Sequence, residues 1–303
     1  YVRSVRAAIR QEQATILYGV SDKGLAMLAT YIAHRQTGLP YIMHMFDLYV
    51  GNNLSPVNHL IARCCEGMIL RGAQTVIVTN EGTAQYYQNR YGSRIQLKII
   101  HNPVQASTYA STQSEYSPEP PYKIIFTGNI GWPQEQSVLN LLSALEQLHD
   151  LPIELYLYSP HMTDRVLSAI EGKQNIYRRT AAASEMPMIQ KDATLLFLPL
   201  SWGTKSPAII ATATPGKFTD YLASGRPMLV HAPDFAYVSL YTKQHSCGIV
   251  VDVNDVQYLA QAIRTFLDSP KNIGQEYIRR AREIFLVNHT AEVGGKKLEA
   301  ILR

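Results

Sequence analysis

Residues 194–230 read TLLFLPLSWGTKSPAIIATATPGKFTDYLASGRPMLV. The opening run, 194–199, has the length and branched, apolar character of a strand buried on both faces. Thr214 then offers an N-cap, Pro215 suits the first helical position, and Gly225 with Pro227 supplies the stop. A helix over 215–223 is expected, followed by another buried strand at 227–230. Strand, helix and strand in that order form a βαβ unit, which requires a parallel sheet.

The same alternation extends in both directions. Downstream of 121, strands are expected at 123–127, 153–158, 175–177, 194–199, 227–230 and 248–251. Helices are expected at 136–148, 163–170, 184–190, 215–223, 256–267 and 271–285. Upstream, strands are expected at 15–19, 41–46, 74–79 and 96–100, with helices at 2–11, 24–35, 56–70 and 81–91. The tract around 104–121 breaks the rhythm with Ser, Thr, Gln and Pro, and reads as a linker. The fold class is therefore α/β, with two Rossmann-like, doubly wound parallel-sheet domains facing a cleft. Residues 1–104 form the first domain, 105–121 the linker and 122–303 the second domain with its C-terminal helices. Ligands of such sheets bind outside the carboxyl ends of the strands.

Composition limits the function classes. The chain has 303 residues, 46% apolar and 17% charged, which suits two globular domains and excludes global disorder. No apolar run approaches the roughly 18–20 residues of a membrane span. Cys64, Cys65 and Cys247 are too few and wrongly placed for a disulfide framework, so a reducing, cytoplasmic setting is expected. The net charge of +4 is uneven: residues 1–103 hold ten basic against five acidic side chains, the remainder eighteen against nineteen. This excess could meet an anionic membrane or a phosphate-bearing substrate, or simply be solvated. No nucleic-acid recognition motif accompanies it. Arg3, Arg6 and Arg10 flank an apolar face of Val2, Val5 and Ile9, an arrangement open to peripheral membrane contact or to ordinary packing. Phosphate-loop, complete dinucleotide, zinc and nucleophile-elbow motifs are absent from the sequence, and neither a metal site nor a cofactor is expected.

In the helix over 215–223, Lys217 and Asp220 share one face, where one could meet phosphate and the other sugar hydroxyls. A structural surface pair is the competing reading. Segment 214–227, TPGKFTDYLASGRP, resembles the P-x-K-x-x-E-Y-L-A-x-G-[RK]-P motif of GT-B-fold glycosyltransferases of the large retaining family 4. The run 126–131, FTGNIG, with Gln134 or Gln136 after it, resembles their F-x-G-N-[IL]-G-x-x-Q opening. Val78-Thr79-Asn80, Tyr91-Gly92, 99–104 (IIHNPV), 41–49 (YIMHMFDLY) and Gly248-Ile249-Val250 agree in order and spacing.

The resemblance implies a nucleotide-sugar donor against the second domain and a glycan or lipid-linked acceptor against the first. Gly128 and Asn129 would approach the phosphates and Asp220 the ribose. Ser159, Arg179 and Thr180 would lie near the base. Thr212, Ala213, Thr214, Pro215 and Gly216 would line the sugar and phosphates, Thr212 standing where the family has its first glutamate. The loop positions that often carry Arg and Lys are uncharged here, around Asn129 and Gln134, so leaving-group charge falls to Lys217, with Lys205 as a further candidate. On the acceptor side Asp47 matches the family's aspartate, while Phe46 replaces the usual histidine and His44 reads as a packed strand residue. Lys217 and Asp47 are thus the candidate catalytic residues. Measured against the family, about 60–90 residues of first-domain strands have no counterpart. The expected activity is retaining, metal-independent sugar transfer in surface-polysaccharide or glycoconjugate synthesis of a bacterial type. Competing readings are a non-catalytic scaffold subunit and a nucleotide-sugar epimerase, the latter without a visible pair of acid/base carboxylates.

Overall fold

A computed structural model describes every residue except Tyr1, Lys23, Gly24, Asn53, Gln113, Ser114 and Lys205. The helix start expected at 24 and the additional cation Lys205 therefore lie outside the described residues. The chain divides into two compact units.

The first unit comprises Tyr1–His101, Ser206–Ala213 and Lys297–Arg303. It contains α1 (Val2–Glu12), β1 (Leu17–Val20), α2 (Ala26–Thr37), β2 (Tyr41–Met45), α3 (Pro56–Gly72), β3 (Thr75–Val78), α4 (Glu81–Tyr91) and β4 (Leu97–Ile99). The strands pair in parallel in chain order, β1-β2-β3-β4. Local signals act where the sequence places them. Ser55 accepts from the Asn58 amide ahead of Pro56, Asn80 accepts from the Thr83 amide, and Gly38 closes α2 in the left-handed conformation. Strand β1 runs past its expected end through Gly19, where a Cβ would stand 2.5 Å from Met43 Sδ on β2. One sheet face packs Tyr41, Met43, Met45, Val76 and Val78 under α1–α4, and Val5 and Ile9 of α1 join this core. Val5 and Ile9 of the α1 stripe are thus turned to packing, while Arg3, Arg6 and Arg10 are exposed. The other face buries Ile42, Ile77 and Ile100 beneath Leu298 and Ile301.

The second unit comprises Asn102–Lys205 and Thr214–Lys296. Its elements begin with β5 (Tyr122–Thr127), α5 (Trp132–Gln147), β6 (Ile153–Tyr158), α6 (Asp164–Ile170), β7 (Ile176–Arg179), α7 (Met186–Lys191) and β8 (Leu195–Pro199). After α8 (Pro207–Thr212), which belongs to the first unit, come α9 (Gly216–Ala223), β9 (Met228–His231), α10 (Tyr237–His245), β10 (Ile249–Val251), α11 (Val256–Leu267), α12 (Pro270–Ile284) and α13 (Ala291–Leu302), the last of which passes into the first unit at Lys297. The six strands are parallel in the order β10-β9-β8-β5-β6-β7. Chain order reverses between β5 and β8, and this switch point directs the loops after both strands toward the same end of the sheet.

Three expectations are corrected. The second domain is not the continuous stretch 122–303, because 206–213 and 297–303 cluster with the first unit. Helices α8, α10 and α13 were not anticipated; α8 is only six residues long and too short to show a helical period. The tract 105–121 is not a free linker. It forms a 3₁₀ segment, Ala106–Thr112, packed on α7, and Tyr109 and Tyr116 are buried. Two aromatic anchors outweigh the polar residues between them.

No helix among the described residues is long and apolar enough to cross a membrane.

Candidate functional site

The site on the second unit is built at the switch point. Strand β5 is followed by Gly128, whose φ of +107° is a conformation that side chains rarely adopt. Its amide donates to the Tyr158 carbonyl at 2.9 Å, and the Ile130 amide to the His161 carbonyl at 2.9 Å, so the loop is pinned along the end of β6. The Gln134 side chain accepts from the Gly131 amide at 3.1 Å and closes the turn into α5. Gln136 instead donates to Asn140 at 2.9 Å. Gln134 is therefore the glutamine that shapes the GNIG loop.

Lys217 meets this loop from α9. A Cβ at position 128 would lie 3.0 Å from its Cε and 3.2 Å from its Nζ, so the lysine tip packs closely over the bare glycine. The ammonium sits 4.1 Å from the centroid of the Phe126 ring, a cation–π contact. Desolvation draws its pKa down to about 7. No carboxylate pairs with it among the described residues. In particular, Asp220, one turn later, is not its ion-pair partner.

Helix α9 starts one residue later than expected. Pro215 takes the N-cap position, Gly216 is the first helical residue, and no side chain caps the end. Thr214 is therefore not the N-cap. The Phe218 amide donates to Pro215 O at 2.8 Å, no side chain accepts from the start of α9, and the helix dipole adds to the charge of Lys217.

Asp220 stands on the same helix in a polar network. Burial pushes its carboxyl pKa up, and the polar neighbourhood of the Tyr109 hydroxyl opposes that rise. That hydroxyl donates to Gln190 Oε1 on α7 at 3.0 Å. Gln190 Nε2 donates to Thr127 Oγ1 at 3.5 Å, and Thr127 shares a 3.2 Å hydrogen bond with the Tyr221 hydroxyl. Sequence reading missed Tyr109, Gln190, Thr127 and Tyr221. The signal available was a tyrosine isolated within a Ser/Thr-rich tract.

The remaining candidates separate. Ser159 is fully buried; its hydroxyl donates to the His161 carbonyl at 2.6 Å and its amide to Arg179 O at 3.0 Å. The side chain is thus spent on shaping the turn. Arg179 is exposed, with its guanidinium 5.3 Å from the Tyr177 ring, and Thr180 follows it in the exposed loop. Gly128, Ser159 and Arg179 consequently succeed one another across the carboxyl ends of β5, β6 and β7. Asn129 lies in the β5–α5 loop. Thr212 and Ala213 belong to the first unit; the Thr212 hydroxyl donates to Ala208 O at 2.8 Å and its carbonyl accepts from Asn80 Nδ2 at 2.8 Å. Thr212 therefore does not offer a free hydroxyl in the glutamate's place.

In the first unit, Asp47 is exposed in the turn after β2, where the amides of Phe46 and Asp47 donate to Ser21 Oγ at 2.9 and 3.3 Å. His44 bonds through Nδ1 to the Tyr18 hydroxyl at 2.6 Å and stacks on Phe46 with ring centroids 4.1 Å apart. Burial lowers its pKa to about 4, so it remains neutral in this packed position. Among the described residues, no three His, Cys, Asp or Glu side chains gather in a metal-binding arrangement.

Comparison with known proteins agrees with this architecture. The family described as glycosyl transferase 4-like domain matches residues 1–103, and that described as glycosyl transferases group 1 matches residues 121–269. No curated protein is significantly similar in sequence. Among solved structures, a sucrose-phosphate synthase from Thermosynechococcus elongatus superposes with a TM-score of 0.77 at 15% identity, over 100% of this chain and 76% of that one. A glycosyltransferase from Rickettsia africae gives 0.73 at 14% identity, covering 99% of this chain and 79% of its own. HepE from Anabaena, in complex with UDP, gives 0.75 at 14% identity, covering 99% and 81%. With two glycosyltransferase family matches in tandem and two parallel α/β units, the chain belongs to the GT-B-fold glycosyltransferases.

Proposed function

We propose that the chain transfers a sugar from a nucleoside-diphosphate sugar, bound at the switch point of the second unit, to a glycan or lipid-linked acceptor held by the first. The observation that carries this reading is Lys217: a partly desolvated ammonium without an ion-pair partner among the described residues, beside a glycine loop and an uncapped helix start. Burying such a cation costs free energy unless an anion compensates it. A diphosphate supplies that anion and also accepts from amides at the start of α9. HepE, with a similar fold, has been solved with UDP and with UDP-glucose.

In this reading the GNIG loop brings backbone to the phosphates and Asp220 accepts from the ribose hydroxyls, although its side chain is one methylene shorter than glutamate. Arg179 and Thr180 border the base. As the glycosidic bond to the diphosphate breaks, charge grows on the departing oxygen, and Lys217 with the α9 amides stabilises it without a metal. Asp47 receives the acceptor hydroxyl. Retention of anomeric configuration, a role in bacterial-type surface-glycan synthesis and a cytoplasmic location, peripheral at an anionic membrane, complete the proposal.

The test is a thermal-shift screen against UDP, GDP, ADP, dTDP and CMP. A ligand that binds only the folded chain raises its melting temperature with the logarithm of concentration over affinity. A shift confined to one base supports the donor site and names the nucleotide. No shift with any of the five in a folded sample removes it, and the scaffold reading takes its place.

A further inference from the structure

We propose that the outward face of α3 is a lipid-docking surface, which lays Val57, Leu60, Cys64 and Met68 into the surface of an anionic bilayer. This gives a face to the peripheral membrane contact proposed above, and it rests on that part of the reading, independently of the donor site. Helix α3 has two apolar faces. Ala62, Ile69 and Leu70 are buried in the core of the first unit, with Glu66 beside them. Val57 and Leu60 are 68% and 64% exposed, Met68 is 41% exposed, and Cys64 is exposed on the same face. At 3.6 residues per turn these four side chains fall within an arc of about 80°, opposite the buried face. Single exposed apolar residues are ordinary on a protein surface, whereas a continuous stripe marks a contact.

Charge selects the occupant. The arginines of α2 and α3 are Arg35, Arg63 and Arg71; all are exposed, and none is ion-paired among the described residues. The one acidic side chain of the two helices, Glu66, is buried, where it accepts from the Val50 amide at 3.0 Å and the Tyr91 hydroxyl at 2.6 Å. Helix α2 packs against both α1 and α3, so the exposed Arg3, Arg6 and Arg10 belong to the same helical layer. An apolar stripe edged by arginines, with no exposed carboxylate on its helix, complements anionic headgroups over acyl chains. A second copy of this chain fits less well, because a two-fold contact through the stripe would juxtapose basic edges with no carboxylate to offset them. Position agrees with charge. Helix α3 starts at the carboxyl end of β2, so Val57 and Leu60 lie toward the end of the sheet where the Asp47 turn emerges. A lipid-linked acceptor at the bilayer surface is thereby brought to the loop proposed to receive it.

The experiment measures co-sedimentation with vesicles of phosphatidylcholine alone, and of phosphatidylcholine mixed with phosphatidylglycerol. The wild-type chain is compared with the double variant Val57→Ser/Leu60→Ser and with Leu240→Ser as a control. Leu240 is 54% exposed on α10 of the second unit, so its variant reports the same change of polarity elsewhere. The wild-type chain is expected to sediment with the mixed vesicles and not with the neutral ones. Loss of two inserted side chains should lower its partition coefficient about thirtyfold, while Leu240→Ser keeps the wild-type value. Both variants keep the wild-type melting temperature and its shift with nucleoside diphosphate, since the replaced side chains are exposed and remote from Lys217.

No sedimentation of the wild-type chain with mixed vesicles overturns the proposal outright. Equal sedimentation of the wild type and the double variant overturns it at α3, leaving charge alone to hold the chain. Equal binding to neutral and mixed vesicles overturns the choice of an anionic surface. A wild-type dimer in the analytical ultracentrifuge that the double variant converts to monomer overturns it in favour of a second copy. Vesicle binding through α3 without any nucleotide shift supports the proposal and removes the donor site instead.

Discussion

Lys217 combines properties that serve binding better than stability. Its pKa is near 7 in the folded chain and about 10.4 when unfolded. Between these values the unfolded state binds the extra proton, so stability rises with pH from about 7 to 10. Below pH 7 the folded chain carries the buried charge and its full cost. Lys217→Met should therefore raise the melting temperature of the unliganded protein by about 2–4 °C at pH 7, while lowering kcat/KM by about a hundredfold. The same change should abolish the alkaline decline in diphosphate affinity, since the wild-type ammonium loses its proton above pH 7. Turnover within about twofold of wild type would assign the leaving-group role elsewhere. Lys217 and Gly128 could be recognised before the fold was known, because a lysine two residues after a proline helix start and a glycine after a strand are local patterns. Tyr109 could not, because its burial and its hydrogen bond to Gln190 depend on residues remote in sequence.

At the scale of elements, α1 shows how a pattern is allocated by packing. Its apolar stripe suits either a membrane surface or a core, and Val5 and Ile9 pack, partly buried, against the core of the first unit. A membrane role for α1 must then rest on Arg3, Arg6 and Arg10, which remain exposed. Electrostatic attachment of this kind is salt-sensitive and contributes roughly 1 kcal/mol per basic side chain. Co-sedimentation with vesicles containing phosphatidylserine should decline between 50 and 300 mM salt and be lost when all three arginines become glutamine. Sedimentation unaffected by that triple change would withdraw α1 from membrane contact. Boundaries were readable where a capping side chain or glycine marked them, as at Ser55, Asn80 and Gly38. Helix α8 escaped because six residues supply too little period, and the start of α9 was displaced because Pro215 itself occupies the cap.

For the molecule as a whole, each unit has its own parallel sheet and buried core. Hydrogen exchange with and without bound nucleoside diphosphate should show slower exchange around 128–131, 158–161 and 214–221 in the second unit. Segments 44–50 of the first unit should respond to acceptor rather than nucleotide. Protection by nucleotide confined to the first unit would reverse the assignment of donor and acceptor sides. Alternating strands and helices, and the motifs around Gly128 and Lys217, were enough to identify an α/β chain of two units and the family to which it belongs. Those features depend on periodicity and backbone conformation, which each short segment carries within itself. Packing alone revealed that 105–121 folds onto the second unit, that 206–213 and 297–303 belong to the first, and that Thr212 is occupied while Tyr109 is bonded to Gln190. Burial, hydrogen-bond partners and proton affinity depend on residues brought together from distant parts of the chain, so they exist only once it has folded.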